Sequence, residues 1–356
     1  MEQIQRKTRR LELVLGPEDG GVKVDTLLRR RLHLSGTVIR RIKWLPDGIL
    51  VDGARVNTAF RPREGQTLSV RLSDPERRSG ILPAPGPLDI VYEDGDLLIL
   101  NKAPGVPVHP GPGHFNDTIG NFLLNYYNSE GIEGDFHPVH RLDRGTSGLM
   151  AVAKHPHAQE VLKGQLHTPA FRRVYLAVCD GGPQPPSGVV DAPLGPREGS
   201  LVEQMVRPDG KDARTRYETL SRSGGRSLVR LELDTGRTHQ IRVHMASLGC
   251  PLTGDFLYGY EDRSLISRPA LHWAGAVLYP PPSGGYGAPA DPSERREGAV
   301  NVIRRWITQP NALLRAAALF GAGMALTLAA ACLSWPLLPE GLLKNANPLW
   351  NWAVSS

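Results

Sequence analysis

The run Val139-His140-Arg141-Leu142-Asp143-Arg144-Gly145-Thr146-Ser147-Gly148-Leu149 sets one carboxylate among two arginines and a histidine, then turns through small residues into an apolar segment. An aspartate so placed is a usable nucleophile or general base. Gly145 and Gly148 let the backbone turn tightly and approach a ligand, and Thr146 and Ser147 can brace the turn. By itself the same charge pattern also describes a surface ion-pair cluster beside a strand. Two further segments offer chemistry. Arg172 to Val178 alternates as a strand with Val174, Leu176 and Val178 on one face, so Arg173 and Tyr175 share the other. Leu228 to Leu233 is a strand running into Asp234-Thr235-Gly236-Arg237-Thr238-His239-Gln240-Ile241-Arg242, a tight turn and a helix start. Thr238 is the expected N-cap, Ile241, His244, Met245 and Leu248 recur at helical spacing, and Gly249 closes the helix. Arg242 lies one residue off that apolar face and is expected to point along the sheet. Alone, Arg237, His239 and Arg242 would serve equally as a phosphate patch, a structural network or solvated surface.

These segments need a scaffold, and 356 residues suffice for two domains with a full core. With 40% hydrophobic and 22% charged residues the chain is of ordinary globular type. Its net charge of +6 is uneven. Residues 1–78 hold 17 Lys+Arg against 10 Asp+Glu, leaving 25 and 26 for the rest. A basic unit joined to a near-neutral body suggests a polyanion-binding module serving a larger domain. The three cysteines, Cys179, Cys250 and Cys332, are too scattered for a disulfide framework or zinc site, which fits a reducing compartment. Residues 1–10 are polar and basic, lack the apolar core of a secretory signal, and read with the following residues as a basic tail to residue 17.

In the basic unit, Val24, Leu27, Leu28 and Leu32 share a helical face beside Arg29, Arg30 and Arg31. Ser35 caps a second helix carrying Val38, Ile39 and Ile42, with Arg40, Arg41 and Lys43 on its polar side. Strands follow at Gly48 to Val51, after the Asp52-Gly53 turn, and at Leu68, Val70 and Leu72. This pattern, over roughly residues 18–74, resembles the S-four-like RNA-binding module first known from a ribosomal protein. The resemblance implies phosphate contacts through Arg29, Arg30, Arg40, Arg41 and Lys43. Residues 79–87, rich in Pro and Gly, read as an extended, semi-rigid linker. Beyond it, Ile90 to Asp94 and Leu97 to Lys102 read as strands, Pro104 to Pro110 as a rigid loop, and Asp117 to Tyr127 as an amphipathic segment. Leu149 to Ala153 is a strand, His155 to Leu166 a helix, and Thr215 to Leu220 a strand.

The chemistry-bearing segments together resemble the RluA-type pseudouridine synthases, which isomerise uridine in RNA. His140-Arg141-Leu142-Asp143 with Thr146-Ser147-Gly148-Leu149 matches the family's HRLD-x-x-TSGL signature. Arg173 to Ala177 matches its basic-x-Tyr-x-Ala strand, Thr235 to His244 its TGRTHQIRVH segment, and Asn101 to Gly105 its NKP-type loop, with Ala103 where proline is common. The motifs fall in family order between about residues 88 and 280. The resemblance implies an α+β fold with a mixed, largely antiparallel central sheet and flanking helices, preceded by a small α+β RNA-binding domain at residues 18–78. The catalytic domain would span 88–284, with no cofactor and no metal.

By carry-over, Asp143 is the catalytic carboxylate, Arg242 the arginine that ion-pairs with it, and Tyr175 the ring packed on the target base. Arg141 would help displace the nucleotide from its stack. His140 supports the loop, Asn101 and Lys102 shape the pocket floor, and Arg237, His239 and Gln240 line the substrate side. Lys211, Arg214 and Arg216 are further candidate RNA contacts. The carboxylate could attack the anomeric carbon or uracil carbon six, or assist glycal formation; all three routes stay open. A large-subunit ribosomal RNA is the expected substrate, by analogy with the N-terminal module, for a monomeric cytoplasmic enzyme. The competing reading is a non-catalytic RNA-binding or ribosome-assembly protein on the same scaffold. An acid kept in an RNA cleft, where it repels phosphate, favours catalysis.

The C-terminal third departs from the family. Leu271 to Ala274 fits a family strand, but residues 285–320 read as a Gly/Pro-rich insertion or disordered segment. Residues 321–356 read as a last strand and tail. An uncharged run from Ala316 to Leu333 also reaches the length of a membrane span, so a weak anchor is the alternative for this region.

Overall fold

The computed structural model describes residues 7–166, 168 and 172–277; the expected insertion, last strand and membrane-length run lie outside the described residues. The described chain divides into two compact units. One comprises residues 7–144 with 149–166 and 168, the other residues 145–148 with 172–277. No described helix is long and apolar enough to cross a membrane.

The first unit begins with strand β1 (Arg10–Val14), helices α1 (Val24–Arg30) and α2 (Gly36–Ile42), and strands β2 (Ile49–Val51), β3 (Ala54–Arg55) and β4 (Thr67–Arg71). The strands pair antiparallel in the order β1-β4-β2-β3. Ser35 caps α2 as its sequence predicts, its Oγ accepting from the Val38 amide at 3.2 Å. Asp52 and Gly53, both at positive φ, make the tight turn between β2 and β3. Leu28, Leu32, Ile39, Ile49, Leu68 and Val70 close one apolar core with Leu11 of β1. That strand corrects the reading of residues 1–17 as a tail. Leu11 is buried while Arg10 and Glu12 flank it, so a period-two pattern was present under a run of charge.

The linker is extended but bonded down along its length. Asp135 accepts from the amides of Arg78 and Ser79 at 2.7 and 2.8 Å, and Asn121 Nδ2 donates to the Leu82 carbonyl at 2.7 Å. A Cβ on Gly86 would stand 2.2 Å from the Phe122 ring, so this close approach requires glycine. Next come β5 (Ile90–Glu93), β6 (Leu97–Lys102), α3 (Ile119–Glu130), β7 (His137–Pro138), β8 (Ser147–Ala153) and α4 (Pro156–Gln165). Thr118 and Asn121 form a capping box at the start of α3, and His155 caps α4. β6 is flanked by β5, antiparallel to it, and by β8; β7 pairs antiparallel with β8.

Ion pairs and histidine–carboxylate hydrogen bonds join the N-terminal sheet and helices to this part of the same unit. Asp74 stands between Arg41 at 2.6 Å and His137 at 2.5 Å, and Arg71 pairs with Glu133. Asp96 takes Arg9 at 2.8 Å and His155 at 2.9 Å. Burial would push the Asp96 carboxyl up, but hydrogen bonds from His155 and Arg9 outweigh it and hold the carboxyl at about 2.

The second unit contains β9 (Arg172–Asp180), β10 (Ser187–Asp191), β11 (Leu194–Pro196), β12 (Gln204–Val206), β13 (Arg214–Ser223), β14 (Arg226–Leu233), α5 (Gln240–Ser247) and β15 (Leu271–Val277). Its sheet runs β10-β13-β14-β9-β15, antiparallel at each step, and β15 then meets Ser147 and Gly148 in parallel. β11 and β12 form a separate hairpin. The fold is therefore α+β with a mixed, largely antiparallel sheet, as the resemblance implies. The short strands β10 to β12 carry no clear alternation between their prolines and glycines, and the sequence assigned them no role.

Two buried histidines make the fold acid-sensitive. Burial holds His157 down to about 4 and His272 down to about 3, below the 6.5 of a free imidazole. Between those values the unfolded chain binds the extra proton. Each histidine therefore leaves stability intact above pH 6.5 and subtracts from it as the pH falls, by about 2 kcal/mol at pH 5. The urea midpoint is expected to drop clearly between pH 7.5 and pH 5, before most carboxylates titrate. An unchanged midpoint over that interval would contradict the account.

Candidate functional site

Asp143 stands half-buried on the loop between β7 and β8 and makes no hydrogen bond or ion pair among the described residues. Its loop is held from beneath. Lys102, 1% exposed at the end of β6, donates from Nζ to the carbonyls of Ala103 and Val106 at 2.9 Å and of Arg144 at 3.2 Å. The Gly105 amide donates to the same Arg144 carbonyl at 2.8 Å. The NKP-type loop thus fixes the backbone immediately after the acid, and Lys102 acts on that backbone from the interior. Asn101 is half-buried and binds Asp89 through Nδ2 at 3.0 Å. The Ala151 amide donates to His140 Nε2 at 3.1 Å, which makes that ring nitrogen an acceptor and His140 a brace between loop and β8. Arg141 is exposed, and Arg144 reaches His114 at 3.0 Å.

In the second unit the turn after the acid is buried. Thr146 and Ser147 are 3% and 1% exposed, and Ser147 Oγ lies 3.0 Å from His272 Nδ1. Arg268 Nη1 donates to the Gly145 carbonyl at 3.3 Å. Gly148 has φ +120°, and a Cβ there would meet the Trp273 carbonyl oxygen at 2.3 Å. β15 therefore runs so close to the turn that only glycine fits. Trp273 also stacks on Tyr175, with ring centroids 5.8 Å apart and 15° between planes. Tyr175 is 8% exposed on β9, where Arg173 is equally buried.

The TGRTHQ turn is a closed polar network. Gln240 Oε1 accepts from Thr235 Oγ1 and from the Arg237 amide, while its Nε2 donates to the Arg214 carbonyl and Thr215 Oγ1. Gln240 is buried by these contacts, and Arg237, exposed, donates from Nε to the Asp212 carbonyl. The expected Thr238 cap is corrected. α5 starts at Gln240, and its N-cap is His239 in the left-handed region with φ 56°. That conformation aims the His239 ring at Tyr258, whose hydroxyl is 2.8 Å from Nδ1.

Arg242 differs from the expectation in its direction. It is 5% exposed, so it points into the interior and not along an open sheet. The carboxylate on its fork is Asp255, with Nε and Nη2 bonded at 2.7 and 2.6 Å. Tyr258 and Phe256 stand over the guanidinium at 4.9 and 5.9 Å. Asp255 is fully buried and also accepts from the amides of Leu257 and Tyr258. Sequence reasoning missed it. The available signal was an acid in the Gly254-Asp255 turn, 13 residues after Arg242.

Among the expected RNA contacts, Arg30 is exposed, Arg29 pairs with Asp25 at 2.8 Å, and Arg40 bonds Thr37. Lys43 lies over the exposed Trp44 ring at 4.9 Å. Arg41 instead holds Asp74. Arg214 and Arg216 both face Asp234, at 3.4 and 3.1 Å, and Lys211 is exposed.

Residues 96–247 match the RNA pseudouridylate synthase family. Over 241 residues the chain is 39% identical to a Bacillus subtilis protein named uncharacterized RNA pseudouridine synthase YjbO, covering 68% of this chain and 85% of that one. It is 39% identical over 256 residues to ribosomal large subunit pseudouridine synthase D of Yersinia pestis, with 68% and 78% covered. The Escherichia coli protein of that name is 38% identical over 263 residues, with 68% and 79% covered. The loop bearing Asp143, the β9 tyrosine and the Arg242 helix start all fall within the matched residues. On this identity and coverage the chain belongs to the RNA pseudouridine synthases, isomerases of uridine in RNA.

Proposed function

We propose that this chain isomerises uridines of large-subunit ribosomal RNA and that Asp143 carries the reaction. The observation supporting Asp143 is its half-buried carboxylate, without a partner among the described residues, on a loop pinned on both sides. A buried acid with a structural task would be bonded, as Asp96, Asp135 and Asp255 are. Isomerisation requires the bond from the sugar's anomeric carbon to ring nitrogen to break, the uracil to turn, and a new bond to ring carbon five to form. The proton on that carbon must then leave. Asp143 serves as nucleophile or base in this sequence.

By the family resemblance, Tyr175, which stacks on Trp273, is assigned the contact with the base, and Arg242 is assigned as a cation that the reaction requires. Arg141, exposed two residues before the acid, occupies the space of the displaced nucleotide. Ribosomal RNA is favoured because the two relatives named as ribosomal large subunit synthases align over most of their lengths. The basic N-terminal sheet and helices, with Arg29, Arg30, Arg40 and Lys43 outward, supply phosphate contacts of low sequence content. The test is ribosomal RNA from cells with and without the gene, treated with carbodiimide and read by primer extension. A stop lost on deletion and restored by the purified chain in vitro is expected; identical stop patterns would count against this substrate.

A further inference from the structure

The first unit carries an open cleft of about 460 Å³, of whose lining only His140 and Arg141 have a place in the uridine chemistry. Arg41 of α2, Arg78 of the linker, Arg141 of the loop and Lys163 of α4 all line it. Arg41 is neutralised by Asp74, but Arg78, Arg141 and Lys163 are exposed and have no carboxylate partner among the described residues. The cleft's one acid, Asp135, is 3% exposed, and its oxygens already accept from Ser79 and from the amides of Arg78, Ser79 and Phe136. Its charge is therefore turned into the protein.

The aromatic content is equally informative. His109 packs edge-on against Phe136 at 5.0 Å, and both line the cleft. Burial, and to a lesser degree the charges of Arg141 and Lys163, holds the His109 imidazole down. Unpaired cations beside the exposed His109 ring, which the buried Phe136 backs, are what a single nucleic-acid strand needs: charge for its backbone and a ring for a base. A small anion would need a closed pocket with converging donors, and this cleft is neither closed nor small.

We propose that this cleft is an RNA-backbone subsite that holds single-stranded nucleotides flanking the one presented to Asp143. The inference rests on the function proposed above for the choice of RNA as ligand. Through Arg141 the subsite is continuous with the loop bearing the acid, so it would draw the flanking strand taut as the target leaves its stack.

The test uses the full chain carrying Arg78→Gln and Lys163→Gln, neither of which has a catalytic assignment. Binding of a fluorescein-labelled 12-nucleotide oligouridylate is followed by anisotropy from 50 to 300 mM KCl. Loss of two single-strand phosphate contacts is expected to lower the slope of log affinity against log salt by about 1.4. Affinity at low salt should fall about tenfold, and Lys163→Arg should retain the wild-type slope. On ribosomal RNA the double variant should raise KM with kcat unchanged. An unaltered slope and affinity, in a variant whose thermal unfolding matches wild type, overturns the proposal. So does weakened binding to polyglutamate with RNA binding unchanged, which assigns the cleft to an acidic protein partner. Should the wild-type chain isomerise no RNA, the reading of function fails, while the salt slope still decides whether the cleft binds a strand.

Discussion

Asp143→Asn is expected to abolish isomerisation while leaving the fold and RNA affinity in place. Asparagine keeps the size of aspartate and loses its charge and basicity, so it can neither attack carbon nor take up the proton released from uracil. The residual rate should be at least about a thousandfold below wild type, as when a reacting group is lost from an otherwise intact site. Stability should hardly move. The carboxylate makes no hydrogen bond or ion pair among the described residues, and such substitutions usually stay within about 0.5 kcal/mol. RNA affinity should hold or rise slightly, because a negative charge near phosphates is removed. Tritium release from RNA labelled at carbon five of uridine measures the reaction, and anisotropy and thermal unfolding measure the rest. Release at the wild-type rate would remove Asp143 from the mechanism. It would leave the non-catalytic RNA-binding reading to be considered.

The elements around this residue were legible in proportion to how local their signals are. Leu97 to Lys102 is buried along most of its length and reads as a central strand from its apolar run alone. Ser35 and the Asp52-Gly53 pair announce their structures because caps and turns are decided within four residues. The motif residues were legible as chemistry, and the family resemblance supplied their roles. What stayed hidden is what depends on distant partners. Arg41 looks like any polar-face cation of a basic helix until Asp74, brought beside it by β4, claims it. Lys102 closes a strand in the manner of a solvent-facing residue, yet three carbonyls of two loops bury its ammonium. β1 was obscured by the arginines that frame it, and His239 by a left-handed backbone that non-glycine residues seldom adopt. Side-chain direction and long-range pairing are settled by tertiary packing, and a period of 2 or 3.6 carries no information on either.

Asp255→Asn should be the most damaging substitution outside the reactive loop. Arg242 and Asp255 are 5% and 0% exposed and form a two-pronged pair at 2.7 and 2.6 Å. Removing one partner leaves a guanidinium buried without its counter-charge, a loss of about 3–5 kcal/mol. Activity should fall further than stability explains, since the pair sets the angle of the Arg242 fork between Tyr258 and Phe256. A second variant separates the two effects. Arg242→Met with Asp255→Leu replaces the pair by apolar groups of similar size, an exchange that often restores stability or improves it. This double variant should regain most of the lost unfolding free energy and remain inactive on RNA, because the cation is gone. A double variant that recovers both stability and tritium release would make Arg242 a packing residue. An Asp255→Asn single variant as stable as wild type would mean that its amide and the neighbouring rings suffice for the buried cation. The decisive comparison is the rate measured well below each variant's unfolding temperature. There, a folded but inactive double variant identifies charge at position 242, and not the rigidity of α5, as what the reaction requires.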